Sequence, residues 1–452
     1  MLSHSQVSVG VLVRDVDTLF LDTLLDKSNI FYLVEAQTPT EQWARSFLPE
    51  SNILRYTFDK PVLQCLKTLE DILLNSNIAK VLQKYTVSGL LVTQVNERIH
   101  AWQNQTGIEL ISVPFMTRQN LENKISFDAW LQAKCVRKPD SDIVTVAELS
   151  QVNPQAKVVI QTAVSMGAEG TFIAANHSEL LDTQTQLLRQ GISSSTPVLV
   201  RPFIAGRVLG ISTLSGASFQ AISGVRVQCY DKSALGGQDI YAGLNWVSDI
   251  SESDKNKISE VIFHLIQSAN ADGYWGLLNF DFILNPSGEV FLLECNARYT
   301  SATGLTLLYP ELMGGYNTNK ELLMQHFGWQ KAVPDTDKRS FNGLRDSTFA
   351  GSVACINFYP SLKHPHLEVR QQKSSGIYRL DSDSIEFVSS DVRKVKDYDL
   401  ETFFLYTSEA ERGEVYSEYV TTGIVVSNKS LFTTQGIRSK IGHLVNEYFC
   451  VL

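Results

Sequence analysis

Apolar residues in this chain fall into short runs of strand length and longer stretches with helical spacing. Five such runs predict strands near the N-terminus, at 7–13, 30–36, 52–58, 89–95 and 108–114. The stretch from Val62 to Tyr85 carries apolar residues at helical intervals and predicts a helix. Strands that alternate with helices are typical of a parallel sheet with crossover connections. We therefore predict a Rossmann-like α/β domain over residues 1–115. It lacks the G-x-G-x-x-G turn of NAD and FAD sites.

Two mixed units follow, at 116–200 and 201–330. In the first, the pattern predicts a helix at 118–133 and a strand at 158–164. A glycine-containing turn with a short strand follows at 165–175, then a second helix at 178–191 and a final strand at 196–204. In the second, a helix is predicted at 255–271. Two strongly apolar strands at 278–284 and 290–296 are joined there by the turn N-P-S-G.

The C-terminal part differs from the rest of the chain in its amino-acid composition. Residues after about 331 are polar and rich in turn formers, which predicts a linker or surface loop. Short strands are predicted in SVACINFYP, SGIYRL, SIEFVSS and YVTTGIVVS, and an amphipathic helix at 437–449. The predicted fold class is thus α/β (α+β), with a C-terminal strand-rich domain over 331–452.

Composition narrows the class of protein. The chain has 39 Lys and Arg against 48 Asp and Glu, a net charge of −9 that argues against a general nucleic-acid binder. No run of about 18 apolar residues predicts a membrane span, and the start MLSHSQVSVG lacks the pattern of a signal peptide. The cysteines are far apart and form no local zinc or redox motif. We expect a cytoplasmic enzyme.

The strongest chemical signal is GYWGLLNFDFILNPSGEVFLLECNARYTSATG, residues 273–304. Glu294 and Asn296 are two residues apart on one strand and share a face, and the hairpin can bring Asp281 beside them. Two carboxylates and an amide oxygen suit Mg²⁺. Arg298 can hold a phosphate or a carboxylate. The alternative is a hairpin with polar residues facing solvent. The apolar flanks argue against it, because buried carboxylates need partners.

These residues resemble the ATP-grasp superfamily, in which a hairpin carries an acid and then E-x-N-x-R. Here the pattern is Asp281 followed by Glu294, Asn296 and Arg298 at the same spacing. The resemblance covers roughly residues 1–330. It implies a pre-ATP-grasp domain at 1–115, a central subdomain at 116–200 and a C-terminal ATP-grasp subdomain at 201–330. It also implies that Asp281, Glu294 and Asn296 hold one or two Mg²⁺ ions on the phosphates of ATP.

The segment VVIQTAVSMGAEGTFIAAN, residues 158–176, resembles the loop that closes over the ATP phosphates in this family. Gly167 and Gly170 can present backbone N–H groups to an anion, and Ser165 and Thr171 can add hydroxyl donors. An ordinary hairpin turn is the alternative reading.

Two further positions match the phosphate-binding lysines of the family. Lys124 matches one of them, although its spacing alone also fits a solvated helix lysine. Gln161 stands where many members have Lys. An amide donates a hydrogen bond but carries no charge, so phosphate binding would be weaker or shared. Some peptide-ligase members that resemble this chain also carry Gln at that position.

The segment TPVLVRPFIAGRVLGIS, residues 196–212, resembles the family's hinge. The resemblance implies that the Pro202 carbonyl and the Ile204 N–H bind the adenine, with Phe203 and Ile204 packing against the ring. Arg201 occupies the position of a common hinge acid, and Val208 that of a ribose-binding acid. These departures put side-chain recognition of adenosine in doubt and leave the backbone contacts open.

Arg226 lies on a predicted strand where family members often place a cation that balances the transferring phosphate. A surface ion pair is the alternative. Together with Arg298 it is our candidate for the catalytic arginine pair. The following segment, SALGGQDIYAGLNW, can border the acceptor-substrate pocket.

The resemblance implies an ATP-dependent carboxylate–amine ligase that forms an amide through an acyl phosphate, with an amino acid or small peptide as substrate. Alternatives are a carboxylase-type or purine-pathway ATP-grasp enzyme, or a nucleotide-binding scaffold with impaired catalysis. The expected partners are a small-molecule carboxylate and an amine, without nucleic acid or membrane. A homodimer is left open.

Overall fold

The protein was studied as a computed structural model. It describes residues 7–13, 25, 27–59, 68–165, 170–216, 220–232, 239–246, 249–308, 313, 316–328, 352–358, 367–368, 374–380, 384–398, 402–405, 415–416, 420–427, 431–433 and 436–437.

The N-terminal part is a five-stranded parallel sheet in the order β3-β2-β1-β4-β5. Its strands are β1 Val9–Leu12, β2 Ile30–Glu35, β3 Ile53–Tyr56, β4 Gly89–Leu91 and β5 Glu109–Ile111. Its helices are α1 Pro39–Arg45, α2 Leu69–Asn75, α3 Ile78–Lys84 and α4 Glu97–Thr106. All five predicted strands are present, and the expected Rossmann-like layout is confirmed. Both faces of the sheet are buried, as in parallel sheets covered by crossover helices.

One predicted helix in this part is divided. The continuous helix expected over 62–85 consists, within the described residues from 68 onward, of α2 and α3. Ser76 between them is extended and forms a bridge with Phe58. The backbone of Asn77 donates to Thr57 at 3.0 Å, and its side-chain oxygen accepts from the Thr57 N–H at 2.9 Å. Tertiary bonds to the segment after β3 therefore interrupt a helical pattern that local spacing predicts as one element.

The central part is a four-stranded antiparallel sheet in the order β6-β9-β7-β8. Its strands are β6 Asp142–Thr145, β7 Val158–Thr162, β8 Thr171–Ala174 and β9 Pro197–Pro202. Helix α7, His177–Arg189, covers one face with Leu180 and Leu187. Strand β6 was not predicted, because it is short and its residues are exposed or half-buried.

The helix predicted at 118–133 also divides, into α5 Phe115–Glu122 and α6 Lys124–Ala133. Asn123 between them is extended, and its side-chain oxygen accepts from the N–H groups of Ile125 and Ser126, both at 3.1 Å. An Asn that caps a helix starts a new one at this point. The break makes Lys124 the first residue of α6.

The largest sheet has β15, β14, β10, β12, β13, β16 and β22 in that order, with β11 paired to β10. Its strands are β10 Arg207–Ser215, β11 Gln220–Ile222, β12 Arg226–Lys232, β13 Asp239–Trp246, β14 Gly276–Leu284, β15 Val290–Asn296, β16 Ser352–Phe358 and β22 Val420–Ser427. Helix α8, Glu252–Ala271, packs on one face through Ile258, Ile262 and Leu265. Helices α9, Ser301–Leu308, and α10, Thr318–His326, follow the sheet hairpin.

Strands from the C-terminal part continue this sheet. Strand β16 pairs with β13, and β22 pairs with β16, so the sheet extends across the boundary that we propose at residue 331. The remaining strands are β17 Leu367–Glu368, β18 Gly376–Leu380, β19 Ile385–Ser389, β20 Thr402–Leu405, β21 Val415–Tyr416, β23 Phe432–Thr433 and β24 Gly436–Ile437. The four predicted C-terminal strands correspond to β16, β18, β19 and β22. The predicted linker lies outside the described residues, as does the closing helix beyond residue 437.

None of the helices in the described part of the chain is long and apolar enough to cross a membrane. The overall class, mixed α/β with a parallel N-terminal sheet and antiparallel sheets elsewhere, agrees with the sequence prediction.

Candidate active site

The hairpin of β14 and β15 places two carboxylates side by side. Asp281 pairs directly with Glu294, and Asn279 pairs with Asn296. The turn closes through an Asn285 N–H to Glu289 carbonyl bond of 3.0 Å, and Gly288 has a φ of +73° that favours glycine. Asp281 alternates with Phe280 and Phe282, which belong to the core beside α8. The carboxylates therefore lie on the other face of the sheet from α8.

The two carboxylates differ in their electrostatic surroundings. Asp281 is 6% exposed, and burial together with the charge of Glu294 raises its pKa well above the usual range, against the opposing effect of Arg226. Burial also acts to raise the pKa of Glu294, but Lys124 and hydrogen bonds outweigh it, so this pKa is lowered. Asn296 Nδ2 lies 3.3 Å from Asp281 Oδ2 and 3.4 Å from Glu294 Oε1. Lys124 thus favours the ionised form of Glu294, whereas burial and the neighbouring carboxylate disfavour the ionised form of Asp281.

This donor set fits a hard divalent cation. Two carboxylates and one amide are too few to close a cage around a metal, and within the described residues no group of three or more His, Cys, Asp or Glu side chains is gathered. Mg²⁺ is usually held by one or two carboxylates while waters and substrate phosphates complete its octahedron. The adjacent carboxylates of Asp281 and Glu294 meet that requirement, since a cation between them would relieve the repulsion that helps to raise the pKa of Asp281. Asn296 would have to turn its amide oxygen toward the acids to join them.

Gly210 in β10 allows a buried arginine to approach this pair. It is paired with Asp281 on one side and with Arg226 on the other. A Cβ at Gly210 would lie 3.0 Å from Asp281 Oδ1 and 3.2 Å from Arg226 Nε. Arg226 is 3% exposed and donates to Ser212 Oγ at 2.9 Å. It also reaches Asn279 Oδ1 at 3.5 Å. Sequence reasoning missed Gly210, because only the register of three strands shows its role.

Lys124 joins the hairpin to the central part. As the first residue of α6 it donates its backbone N–H to the Ala163 carbonyl at 2.8 Å. Its Nζ lies 3.2 Å from Glu294 Oε2 and 3.2 Å from Ser165 Oγ. The residue is 5% exposed, which differs from the solvated lysine that spacing alone also allowed. Lys124 therefore lies between the β7–β8 turn and the acids.

The turn after β7 is tightly built at its described ends. Gln161 pairs with Thr171 across β7 and β8, and the Thr162 N–H donates to the Gly170 carbonyl at 3.0 Å. A Cβ at Gly170 would overlap Thr162 Oγ1 and lie 2.6 Å from Ser165 Cβ, so only glycine fits there. Gly167 lies outside the described residues, and its predicted role stays a prediction.

The hinge residues divide into a buried and an exposed group. Arg201 is 2% exposed and bonds to Asp128 and Gln161 within the protein. Phe203 is 41% exposed, its N–H donates to the Lys157 carbonyl at 2.9 Å, and Lys157 Nζ lies 4.6 Å from its ring centre. Pro202 is exposed and Ile204 half-buried. Phe203 thus presents an apolar ring at the end of β9, where adenine packing is predicted.

Arg298 is held by a carboxylate that sequence reasoning missed. Its Nε lies 3.2 Å from Glu122 Oε1, and its Nη2 donates to Asn296 Oδ1 at 3.1 Å. Glu122 also pairs with Arg118 at 2.6 Å, and Arg118 donates to the Val95 carbonyl. The i,i+4 spacing of Arg118 and Glu122 was visible in the sequence, but the contact of Glu122 with Arg298 is a tertiary one that spacing does not indicate.

Comparison with known proteins agrees with this architecture. Residues 121–302 match the family model described as the ATP-grasp domain. No curated protein matches the chain in sequence. Among solved structures it is similar to biotin carboxylase from Campylobacter jejuni, with a TM-score of 0.63, 11% identity and coverage of 98% of this chain and 95% of the other.

Two other solved structures are similar over most of their length. L-amino acid ligase from Bacillus licheniformis has a TM-score of 0.57, 13% identity and coverage of 94% of both chains. N5-carboxyaminoimidazole synthase from Aspergillus clavatus, in complex with ADP and 5-aminoimidazole ribonucleotide, has a TM-score of 0.55, 10% identity and coverage of 98% of this chain and 99% of the other. Residues 121–302 are therefore similar to the ATP-grasp domain, and the chain shares its fold with these three solved structures.

Proposed function

We propose that this protein is an ATP-dependent carboxylate–amine ligase with an amino acid or a small peptide as its substrate. The observation that carries the proposal is the carboxylate pair of Asp281 and Glu294, flanked by Lys124 on one side and Arg226 on the other. Acids between cations on a sheet face suit a bound metal–nucleotide complex. The metal ion would pair with the acids, and the phosphates would pair with the cations.

The proposal assigns a part to each side chain of the site. Asp281, Glu294 and Asn296 would hold Mg²⁺, which supplies charge neutralisation at the phosphates. Lys124 and the segment Ser165–Thr171 would bind phosphate oxygens. The end of β9, with Pro202, Phe203 and Ile204, would receive the adenine. This division of labour relies on positioning and electrostatic stabilisation, as phosphoryl transfer generally does.

The proposed reaction has two steps. An oxygen of the substrate carboxylate attacks the γ-phosphorus, the bond from that phosphorus to the bridging oxygen breaks, and ADP leaves. The amine then attacks the acyl carbon, phosphate leaves with the carbon–oxygen bond electrons, and the nitrogen loses a proton. Arg298 and Arg226 would orient the carboxylate and balance the charge on the transferring group. Exclusion of water by the β7–β8 turn would protect the acyl phosphate from hydrolysis.

The choice of an amino-acid or peptide substrate rests on two features. Gln161 in the place of a phosphate-binding lysine is shared with some peptide-ligase members of the superfamily that the sequence resembles. The L-amino acid ligase from Bacillus licheniformis is also similar in fold along nearly the whole chain. We propose that the reaction belongs to natural-product biosynthesis and that the protein is cytoplasmic. We also propose a homodimer, which light scattering would test.

An ADP-release assay with Mg·ATP and pooled amino acids tests the proposal. Release that increases with the pool, together with a dipeptide mass in the products, is the expected result. Release that responds to bicarbonate and not to amino acids would instead indicate a carboxylase-type or purine-pathway-type reaction. Nucleotide binding without release under any of these conditions would favour the scaffold alternative and reject the ligase.

Replacing Glu122 by Gln is expected to lower the kcat of ADP release about tenfold while the KM for ATP changes less than about twofold. The glutamine side chain keeps the shape of the glutamate but removes the charge that holds Arg298, and Lys124 and the acids stay in place. Steady-state kinetics at saturating substrate measure the split.

Glu41→Gln is the matched control. Glu41 is also mostly buried and pairs with Arg55 at 2.5 Å, far from the hairpin in sequence and on α1. It should lower stability without changing kcat. Equal losses of kcat in the two variants would show that Glu122 acts only through stability.

A further inference from the structure

Behind Gln161 lies a buried group of charges formed by Asp128, Lys138 and Arg201. Arg201 Nη2 lies 2.9 Å from Asp128 Oδ1, and Lys138 Nζ lies 2.9 Å from Asp128 Oδ2. Ser141 Oγ donates to the same oxygen at 2.7 Å. The three charged side chains are at most 11% exposed. Two cations and one carboxylate leave the group with a net charge of +1.

Arg201 connects this group to the nucleotide strands. Its Nη1 donates to Gln161 Oε1 at 3.0 Å and to the carbonyl of Leu293 at 3.2 Å. Leu293 precedes Glu294 in β15, so one guanidinium bridges the strand before the phosphate turn and the strand of the metal-binding acids. Both Nη atoms of Arg201 are bonded to protein groups, so we assign the guanidinium no direct contact with a nucleotide.

The bond from Arg201 fixes which way the Gln161 amide points. Since the arginine has only donors, it can accept no hydrogen bond and selects the amide oxygen. The amide nitrogen must then face the opposite way, where it lies 3.3 Å from Thr171 Oγ1 at the end of the phosphate turn. The amide nitrogen has two N–H groups, of which one can bond to Thr171.

We propose that Arg201 is a positioning residue for the phosphate site. It holds Gln161 as an N–H donor toward the nucleotide phosphates, and the +1 charge of its group replaces, from behind the strand, the cation that position 161 lacks. The same charge makes a lysine at 161 unfavourable, because its ammonium would be buried beside a guanidinium. Gln161 is therefore the residue that fits this site, and its amide is functional. The inference refines the nucleotide part of the proposed function.

Calorimetric titration of the full chain with Mg·ADP and with adenosine tests this proposal. Gln161→Glu keeps a partner for Arg201 but removes the donor, so Mg·ADP affinity should fall about tenfold or more while adenosine affinity stays unchanged. Gln161→Lys should lower the melting temperature and should not increase Mg·ADP affinity. In the double variant with Arg201→Gln, the lysine loses its like-charged neighbour, and Mg·ADP affinity should exceed that of Gln161→Lys alone.

The opposite results are distinct. An increase in both stability and Mg·ADP affinity in Gln161→Lys would overturn the role of Arg201, as would unchanged Mg·ADP affinity in Gln161→Glu. Equal losses of affinity for Mg·ADP and adenosine in Gln161→Glu would indicate that Gln161 and Arg201 form only a structural pair.

If Mg·ADP binding by the wild type and the variants follows these expectations but no amine stimulates ADP release, the ligase proposal fails and this one stands. If wild type does not bind Mg·ADP, both fail. The melting temperatures would still show whether the two residues interact.

Discussion

Replacing Asp281 by Asn should reduce ADP release about a thousandfold and at the same time increase the stability of the protein. The loss of activity follows from removing one of two carboxylates that would hold the metal at the phosphates, since losing one electrostatic contact to a transition state commonly costs about 10²- to 10³-fold. Single-turnover kinetics with Mg·ATP and the amino-acid pool measure the effect on chemistry without product release.

The gain in stability follows from the pKa of Asp281. Burial and Glu294 raise this pKa well above its ordinary value of 3.8, so folding disfavours the ionised form. A buried carboxyl group whose pKa is raised by folding favours the folded state at low pH, where it is protonated. That contribution to stability is lost as the pH rises through the folded-state pKa. An asparagine in its place has no charge to bury. The free energy of unfolding of the variant should therefore exceed that of wild type by an amount that increases from about pH 4 toward neutrality. Urea denaturation across this range would show this difference.

Asp249→Asn is the matched control for this pair of effects. Asp249 pairs with Arg207 at 3.0 Å on the exposed surface of the same sheet, and its replacement should change neither ADP release nor the pH dependence of stability. If Asp281→Asn retained activity, the metal assignment would be wrong. If it lost stability at neutral pH, the carboxylate would be a structural partner of Arg226 and the stability prediction would fail.

Much of the fold was predictable because its strands are apolar runs bounded by turn formers. The parallel sheet and the β14–β15 hairpin follow from such local patterns. The breaks at Ser76 and Asn123 were missed, since each depends on bonds that compete with helical periodicity. Ser76 is held by a bridge to Phe58, and Asn123 caps the helix that begins at Lys124.

The residues of the candidate site that belong to the hairpin motif could be predicted from the sequence. Spacing indicated that Asp281, Glu294 and Asn296 would meet, and the structure places them together. Spacing could not indicate Glu122 or Gly210. The first acts through a contact across two helices and a strand, and the second through the absence of a side chain between two registered strands. Such roles belong to tertiary geometry, which no single-sequence pattern encodes.

Replacing Lys124 by Met should weaken Mg·ADP binding about thirtyfold or more and move the acid limb of activity to higher pH. The first effect follows from losing the ammonium that lies between Ser165 and Glu294. The second follows because burial raises the pKa of Glu294 and Lys124 is the main opposing charge. Without it, Glu294 takes up a proton at a higher pH, and activity that requires its ionised form is lost sooner on acidification.

Stability should change in the same direction. A carboxylate whose pKa is lowered in the fold contributes stability above its unfolded-state pKa, and this is lost as the pH falls through the folded-state pKa. Lys124→Met removes the main source of that lowering, so the variant should be less stable than wild type at neutral pH and should approach it on acidification. Lys134→Met, which removes a partly exposed lysine 3.0 Å from Asp272 just after the same helix, should leave nucleotide affinity unchanged. If Lys124→Met bound Mg·ADP as tightly as Lys134→Met did, the lysine would serve only as a counter-charge to Glu294, and the phosphates would have to be held elsewhere.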